Sequence, residues 1–166
     1  MDKFERLKQD GIAHGMCKKF RDEWTNPDIA TLCQYFFRGQ DFCIEQDWPS
    51  MELAHQLFTP EEVAEHGIYI TDGESFDQTN VAALDKAEVH VFVKQWGTCD
   101  IYARHNSTVH LHLGAGSFCY VTVRDNATVI VENKEPGATL KASYFGGLIN
   151  EPQLFDTIHD KTKKEE

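Results

Sequence analysis

Residues 87–126 decide the fold, and they run AEVHVFVKQW GTCDIYARHN STVHLHLGAG SFCYVTVRDN in four successive segments of ten. The segments ATVIVENKEPG, which has one extra residue, and ATLKASYFGG continue the pattern to residue 147. Every segment begins with a small residue, and its third and fifth positions are apolar. Because side chains alternate along a strand, positions three, five and seven face a core and positions four and six face outward. Each segment is therefore predicted to be a strand followed by a turn.

The turns between the strands alternate between two types. RHNST and RDNAT lie twenty residues apart, and QWGT, GAGS and EPGA follow the same spacing. This pattern predicts a β-solenoid with twenty residues per coil, in which equivalent strands stack in parallel as two sheets. An antiparallel β-meander or sandwich is the alternative. The slim inward residues favour the solenoid, and Asn106 and Asn126 are predicted to stack at the turn in the left-handed conformation.

The first 70 residues are predicted to be helical. Apolar residues recur every four positions from Ile12 to Trp24 and predict a helix over residues 3–24, and Asn26 is predicted to cap the next helix. A further helix is expected to end at Trp48, and TPEEVAEHG has the spacing of a capping box. Residues 71–86 are predicted to be a linker with the first strands, 87–147 the repeat domain and 148–166 a tail. The fold class is α+β.

Composition restricts the partners and the compartment. The chain has 27 acidic and 16 basic residues, a formal charge of −11, which opposes binding to nucleic acid. No apolar run is long enough to cross a membrane. The five cysteines form no C-x-x-C pair, and Cys99 and Cys119, twenty residues apart, are expected to be neighbouring core thiols. We therefore expect a cytoplasmic protein with free thiols.

The repeat also brings candidate metal ligands together. His90 and His110 are twenty residues apart at position four, so a solenoid places them on adjacent strands. His112 and Glu132 hold position six of the next column. These four residues form a candidate divalent-metal patch. The alternative is that they are outward residues of a sheet or part of an oligomer contact, with no cofactor.

A second candidate site lies at one edge of the repeat. Arg104 and Arg124 stack by the same logic and are suited to hold a phosphate or carboxylate, with Tyr102 and Tyr120 as neighbouring aromatic groups. The alternative is that the arginines pair with an acidic neighbour such as Asp125 or Asp100. Aromatic side chains at outward positions also indicate that the sheet is covered by other parts of the chain, by a second subunit or by a ligand.

The segments FRGQDFCIEQDWPS, RHNSTV and RDNATVIVEN together resemble uncharacterised small proteins of bacteriophages and mobile elements of gut bacteria, in which D-N-A-x-V units repeat. The resemblance spans most of the chain. It implies a bacterial or phage cytoplasmic setting and an accessory or host-interaction role. It implies no catalytic residues.

These observations predict a non-catalytic structural or protein-interaction module, assembled as a homo-oligomer and able to present a rigid sheet to a protein partner. Two alternatives remain open at this point. One is sequestration of a small anionic ligand at a subunit interface, and the other is a metal site on the histidine face.

Overall fold

The computed structural model describes residues 2–39, 42–43 and 46–162. The chain forms two compact units, Met1–His66 and Gly67–Glu166. The described helices of the first unit are α1 (Lys3–Ala13), α2 (Lys18–Glu23), α3 (Ile29–Arg38), α4 (Met51–Leu57) and α5 (Pro60–Ala64). Among the described residues, no helix has the length and apolarity needed to cross a membrane.

The helical unit has its own apolar core. The buried residues of this core are contributed by α1, by α3, by α4 and by the segments between the helices: Leu7, Trp24, Leu32, Cys43, Trp48, Leu53 and Leu57. The capping box predicted for α5 is confirmed, because Thr59 accepts from the Glu62 backbone N–H and Glu62 accepts from that of Thr59. The helical nature predicted for this region is therefore confirmed.

Two helix boundaries differ from the prediction. The single helix expected over residues 3–24 is divided into α1 and α2, with Gly15 between them at φ +94°. The cap of α3 is Asp28 rather than Asn26, because the Asp28 carboxylate accepts from the Thr31 backbone N–H at 2.8 Å. The helix predicted to end at Trp48 includes positions 41, 44 and 45, which lie outside the described residues.

The second unit is a β-solenoid, as predicted, and it has about four turns. The strands are β1 (Ile68–Tyr69), β2 (Gly73–Phe76), β3 (Asn80–Ala83), β4 (Glu88–Val93), β5 (Thr98–Ala103), β6 (Thr108–Leu113), β7 (Phe118–Val123), β8 (Thr128–Lys134), β9 (Thr139–Tyr144), β10 (Leu148–Asn150) and β11 (Thr157–Asp160). Odd-numbered strands form a six-stranded sheet in the order β1-β3-β5-β7-β9-β11, and even-numbered strands form a five-stranded sheet in the order β10-β8-β6-β4-β2. All described strand pairs are parallel, which excludes the antiparallel meander.

The register is the twenty-residue offset that the repeat predicts. Val89 pairs with Val109, and Cys99 pairs with Cys119. Inward residues are fully buried, as Val109 shows at 0% exposure. Cys99 and Cys119 are free and buried, and burial raises the pKa of Cys99 to about 12. They are core residues, as expected.

The left-handed turn residues are not the predicted asparagines. His105 and Asp125, each one position before an asparagine, have φ near +60°, and Asp85 occupies the same place one coil earlier. At this place the side chain accepts a hydrogen bond from the preceding coil: His105 Nδ1 accepts from the Asp85 N–H, and Asp125 Oδ2 from the His105 N–H. This bond stacks successive coils and favours an acceptor side chain at the left-handed position.

The turns at the opposite ends of the strands are of the second type, as the alternation predicts. Their left-handed residue comes one position later in the turn, and these residues are Trp96, Gly116 and Gly137. The indole of Trp96 lies against Gly116, where a Cβ atom would come within 2.4 Å of the ring. Glycine at this turn therefore allows both the backbone conformation and the aromatic contact.

The solenoid is longer than the predicted range of 87–147. Strands β1 to β3 precede it, partly in the expected linker, and β10 and β11 lie in the expected tail. These outer strands lack the ten-residue pattern because their turns have other lengths, including a 3₁₀ helix at Pro152–Leu154. The last four residues of the expected solvated tail, 163–166, lie outside the described residues.

Candidate metal centre

A histidine stack lies on the outer face of the five-stranded sheet. His90 on β4 pairs with His110 on β6, as the repeat predicts. Their rings are stacked with centroids 4.2 Å apart and 6° between planes. Because equivalent residues on parallel strands are about 4.8 Å apart, the strand spacing itself sets this stack.

The extra residue of the fifth segment places a carboxylate beside this stack. His110 pairs with Ile130, but His112 pairs with Asn133, so the register shifts by one and Glu132 is the additional residue of a β-bulge. Glu132 Oε1 lies 2.7 Å from His110 Nδ1. The hydrogen bond from His110 lowers the pKa of Glu132. The repeat predicts Glu132 beside His112, because strands that pair without a bulge would place these two residues side by side.

Glu88 is the member of the site that the sequence prediction missed. Its Oε1 atom lies 2.8 Å from His110 Nε2, although Glu88 is on β4 and pairs with Thr108. A glutamate side chain is long enough to reach diagonally to the next strand. The signal in the sequence is E-x-H at Glu88 and His90, two outward positions in succession on one strand.

His112 supports the stack from the neighbouring column. Its Nε2 atom lies 3.1 Å from His90 Nδ1, and its ring stacks on Phe92 at 4.2 Å. Phe92 in turn stacks on Phe76 at 4.7 Å. Burial and the neighbouring His90 lower the pKa of His112, which favours a neutral ring able to accept a hydrogen bond.

Three of these side chains can supply ligand atoms to one ion. Glu88, His90 and His110 each have a ligand atom within 4.8 Å of the others. Glu88 is exposed, with 56% of its side-chain surface accessible, whereas 11% of that of His110 is accessible. Two imidazoles and one carboxylate form a ligand set that zinc-class ions accept. Two residues of the predicted patch, His90 and His110, are therefore candidate ligands. The other two, His112 and Glu132, contact the ring nitrogens of these histidines.

The predicted anion site has a different environment. Arg104 donates to Asp125 at 2.8 Å and to the Tyr102 hydroxyl at 3.3 Å, and 8% of its side-chain surface is accessible. Tyr102, predicted to lie at an outward position beside the anion site, is 2% exposed. The pairing of Arg104 with Asp125, the alternative reading of the sequence, is confirmed.

The other two members of that set have separate contacts. The guanidinium of Arg124 lies 4.9 Å from the centre of the Phe145 ring, and the Tyr120 hydroxyl bonds to the Ser143 hydroxyl. The charge of Arg104 is already balanced by Asp125. These contacts give no support to an anion held between the two arginines.

Comparison with protein-family models, with curated proteins and with solved structures finds no match for this chain.

Proposed function

We propose that the protein is a non-catalytic module that binds a divalent transition-metal ion on the outer face of its solenoid, through Glu88, His90 and His110. The observation that carries this proposal is the convergence of three ligand atoms within 4.8 Å on adjacent strands of a rigid sheet.

Hydrogen bonds to Glu132 and His112 orient His110 and His90 as ligands. A carboxylate only accepts hydrogen bonds, so His110 donates from Nδ1 to Glu132 and from Nε2 to Glu88. An ion bound at Nε2 takes the place of the hydrogen donated to Glu88, while Glu132 keeps the hydrogen on Nδ1. In the same way, His90 Nδ1 donates to a neutral His112, which leaves the His90 Nε2 lone pair for the ion. A carboxylate that accepts from the second ring nitrogen and so fixes the tautomer of a ligating histidine is a common feature of metal sites.

The exposed position of Glu88 allows the site to close around an ion. Ligand atoms 2.0–2.1 Å from a tetrahedral zinc ion are roughly 3.3 Å apart, closer than the 4.8 Å limit of the metal-free arrangement. Glu88 can adjust by side-chain rotation, but the nearly parallel rings of His90 and His110 must also tilt relative to each other, because the nitrogen lone pairs lie in the ring planes. The remaining coordination position faces solvent and accepts water.

The ligand types select the class of ion. Calcium and magnesium prefer oxygen ligands throughout, whereas imidazole favours zinc, copper, nickel and cobalt. Because imidazole suits every ion of the second group, we expect zinc or another of these ions to bind. We expect magnesium not to bind.

The test is a zinc titration of the full chain followed by calorimetry, with bound metal measured after gel filtration. We expect one zinc ion per chain, and His110→Ala should reduce the association constant at least 100-fold. His14→Ala is the matched control, because His14 is an exposed histidine of the helical unit and bonds only to Asp10 among the contacts described. Far-UV circular dichroism checks that each variant is folded.

Two results would overturn the proposal. One is a folded wild-type chain that binds no zinc at about 100 µM. The other is equal zinc binding by the His110→Ala variant, which would place any bound ion elsewhere on the chain.

A further inference from the structure

The C-terminal end of the solenoid is open in both sheets at once. Strand β11 ends the six-stranded sheet and β10 ends the five-stranded sheet. Among the described residues, no further strand pairs with the outer edge of either one. An open edge presents unpaired backbone N–H and C=O groups, which readily pair with another chain.

The apolar core between the sheets is open at the same end. Ile149 pairs with Val129 and Ile158 pairs with Ala142, so both isoleucines continue inward columns of the core. Val129 and Ala142 are 0% exposed, but Ile149 and Ile158 are only half-buried. Solenoids need a cap with a polar outer face where their stack ends, and here the last coil instead exposes core side chains.

We propose that this end binds the same end of a second copy of the chain, about a twofold axis. A partner must cover two parallel edges about 10 Å apart together with the core between them. A single extended peptide covers only one edge. The C-terminal coil of a second copy has the matching sheet spacing and the same half-buried isoleucines, and a twofold axis lets each end serve as both halves of the contact.

The backbone of β10 is oriented for this contact. The Leu148 N–H donates to the Ala127 carbonyl at 2.9 Å, so Leu148 faces β8. In a parallel ladder the backbone groups of successive residues face opposite sides, so those of Ile149 face the open edge. The same residue therefore offers both an apolar side chain and a donor–acceptor pair to the second copy.

The proposal does not depend on the metal site, so its test is made in EDTA. We expect sedimentation equilibrium to give a dimer, twice the chain mass of 19.0 kDa. Ile149→Lys and Ile158→Lys, made separately, each place a charge at the open end of the core and should weaken association at least 100-fold. Leu148→Lys is the matched control, because Leu148 lies on the same strand but its side chain is 59% exposed on the outer face.

The measurement distinguishes this contact from others. Both lysine variants must retain the circular dichroism spectrum of the wild type, and two positions are used so that one misfolded variant leaves the other as a test. A wild-type chain that remains a monomer at about 200 µM would overturn the proposal. So would a dimer that persists in both folded variants, because its interface would then lie elsewhere.

Discussion

Ser107 occupies the small first position of its segment, and its hydroxyl group is buried without a partner. The residue is 0% exposed, and its Oγ atom has no hydrogen-bond partner among the described residues. The equivalent positions of the adjacent coils hold Ala87 and Ala127, both buried. The column therefore accommodates alanine, and an unpaired hydroxyl buried there costs stability.

We expect Ser107→Ala to raise the free energy of unfolding by about 1 kcal/mol, because it removes an unsatisfied polar group and leaves the backbone contacts intact. Urea unfolding measures the change. Val109→Ala on the same strand is the contrast, and it should lower the free energy of unfolding by about 2 kcal/mol through lost apolar contact. A loss of stability in Ser107→Ala would show that the hydroxyl has a partner in solution.

Acid should destabilise the turns by protonating the carboxylate of Asp125. Burial acts to raise its pKa, but hydrogen bonds from the His105 N–H and from Arg104 outweigh burial and hold the pKa below the usual 3.8. A carboxylate whose pKa is lowered by folding stabilises the fold at pH values above its unfolded-state pKa. That contribution is lost as the pH falls through the lower, folded-state pKa.

Asp125→Asn should therefore be less stable than the wild type at neutral pH, since it removes the carboxylate that forms an ion pair with the buried Arg104. Asparagine keeps an acceptor oxygen for the His105 N–H and tolerates the left-handed backbone. Urea unfolding across a pH series checks the prediction: the difference between the two proteins should shrink as the pH falls below 3.8. A difference that stays constant into acid would contradict it.

At the residue scale, the sequence predicts which residues lie side by side on adjacent strands, but not how far each side chain extends toward its neighbours. His90 and His110 could be placed together because both hold position four, and position alone fixes their pairing. Glu88 could not be assigned to them, because its diagonal contact depends on side-chain conformation rather than on register. The outward position of Tyr102 follows from the ten-residue pattern, but its degree of burial depends on what covers that face, which the pattern does not describe.

Strand β8 is one residue longer than its repeat requires, and this residue is Glu132 in the bulge. Bulges redirect side chains, and this one directs Glu132 to His110. Deletion of Glu132 restores the ten-residue segment and the regular pairing of β6 with β8. We expect the deleted chain to fold with unchanged or higher thermal stability and to bind zinc 10- to 100-fold more weakly, because His110 loses the group that orients it.

Glu132→Ala is the control that keeps the bulge and removes only the carboxylate, so its zinc affinity should fall by a similar factor. Calorimetry and thermal unfolding measured on both proteins separate the two effects. If the deleted chain is unfolded while Glu132→Ala is folded, the bulge is needed for the fold, and the zinc affinity of Glu132→Ala then tests the orientation of His110. An affinity equal to that of the wild type in the folded Glu132→Ala variant would contradict the prediction.

At the element scale, the central strands could be predicted and the outer ones could not. The inward residues from Val89 to Val123 recur so regularly that strand position and core face follow from periodicity. Strands β10 and β11 are separated by a 3₁₀ helix, and a count of ten from Ala138 reaches Leu148 and then Ile158 instead of a small residue. They are specified by pairing with β8 and β9, which is tertiary structure and leaves no local signal.

The two units have separate cores, so an ion that binds to one unit need not stabilise the other. The helical core includes Trp24 and Leu32, whereas the candidate ligands lie on β4 and β6 in the second unit. An ion that binds only the folded solenoid stabilises it by about 2.7 kcal/mol at 100 times the dissociation constant. The helical unit gains none of this stabilisation if it opens independently.

Hydrogen exchange with and without zinc tests this at the scale of the whole chain. Amides of β4, β6 and β8 that exchange through unfolding of the solenoid should slow about 100-fold in zinc, the factor that corresponds to this stabilisation. Amides of α1 and α3 should exchange at the same rate in both conditions. In His110→Ala, zinc should slow neither group. Equal slowing of both groups in the wild type would contradict the prediction, because it would mean that the units unfold as one or that zinc binds to each.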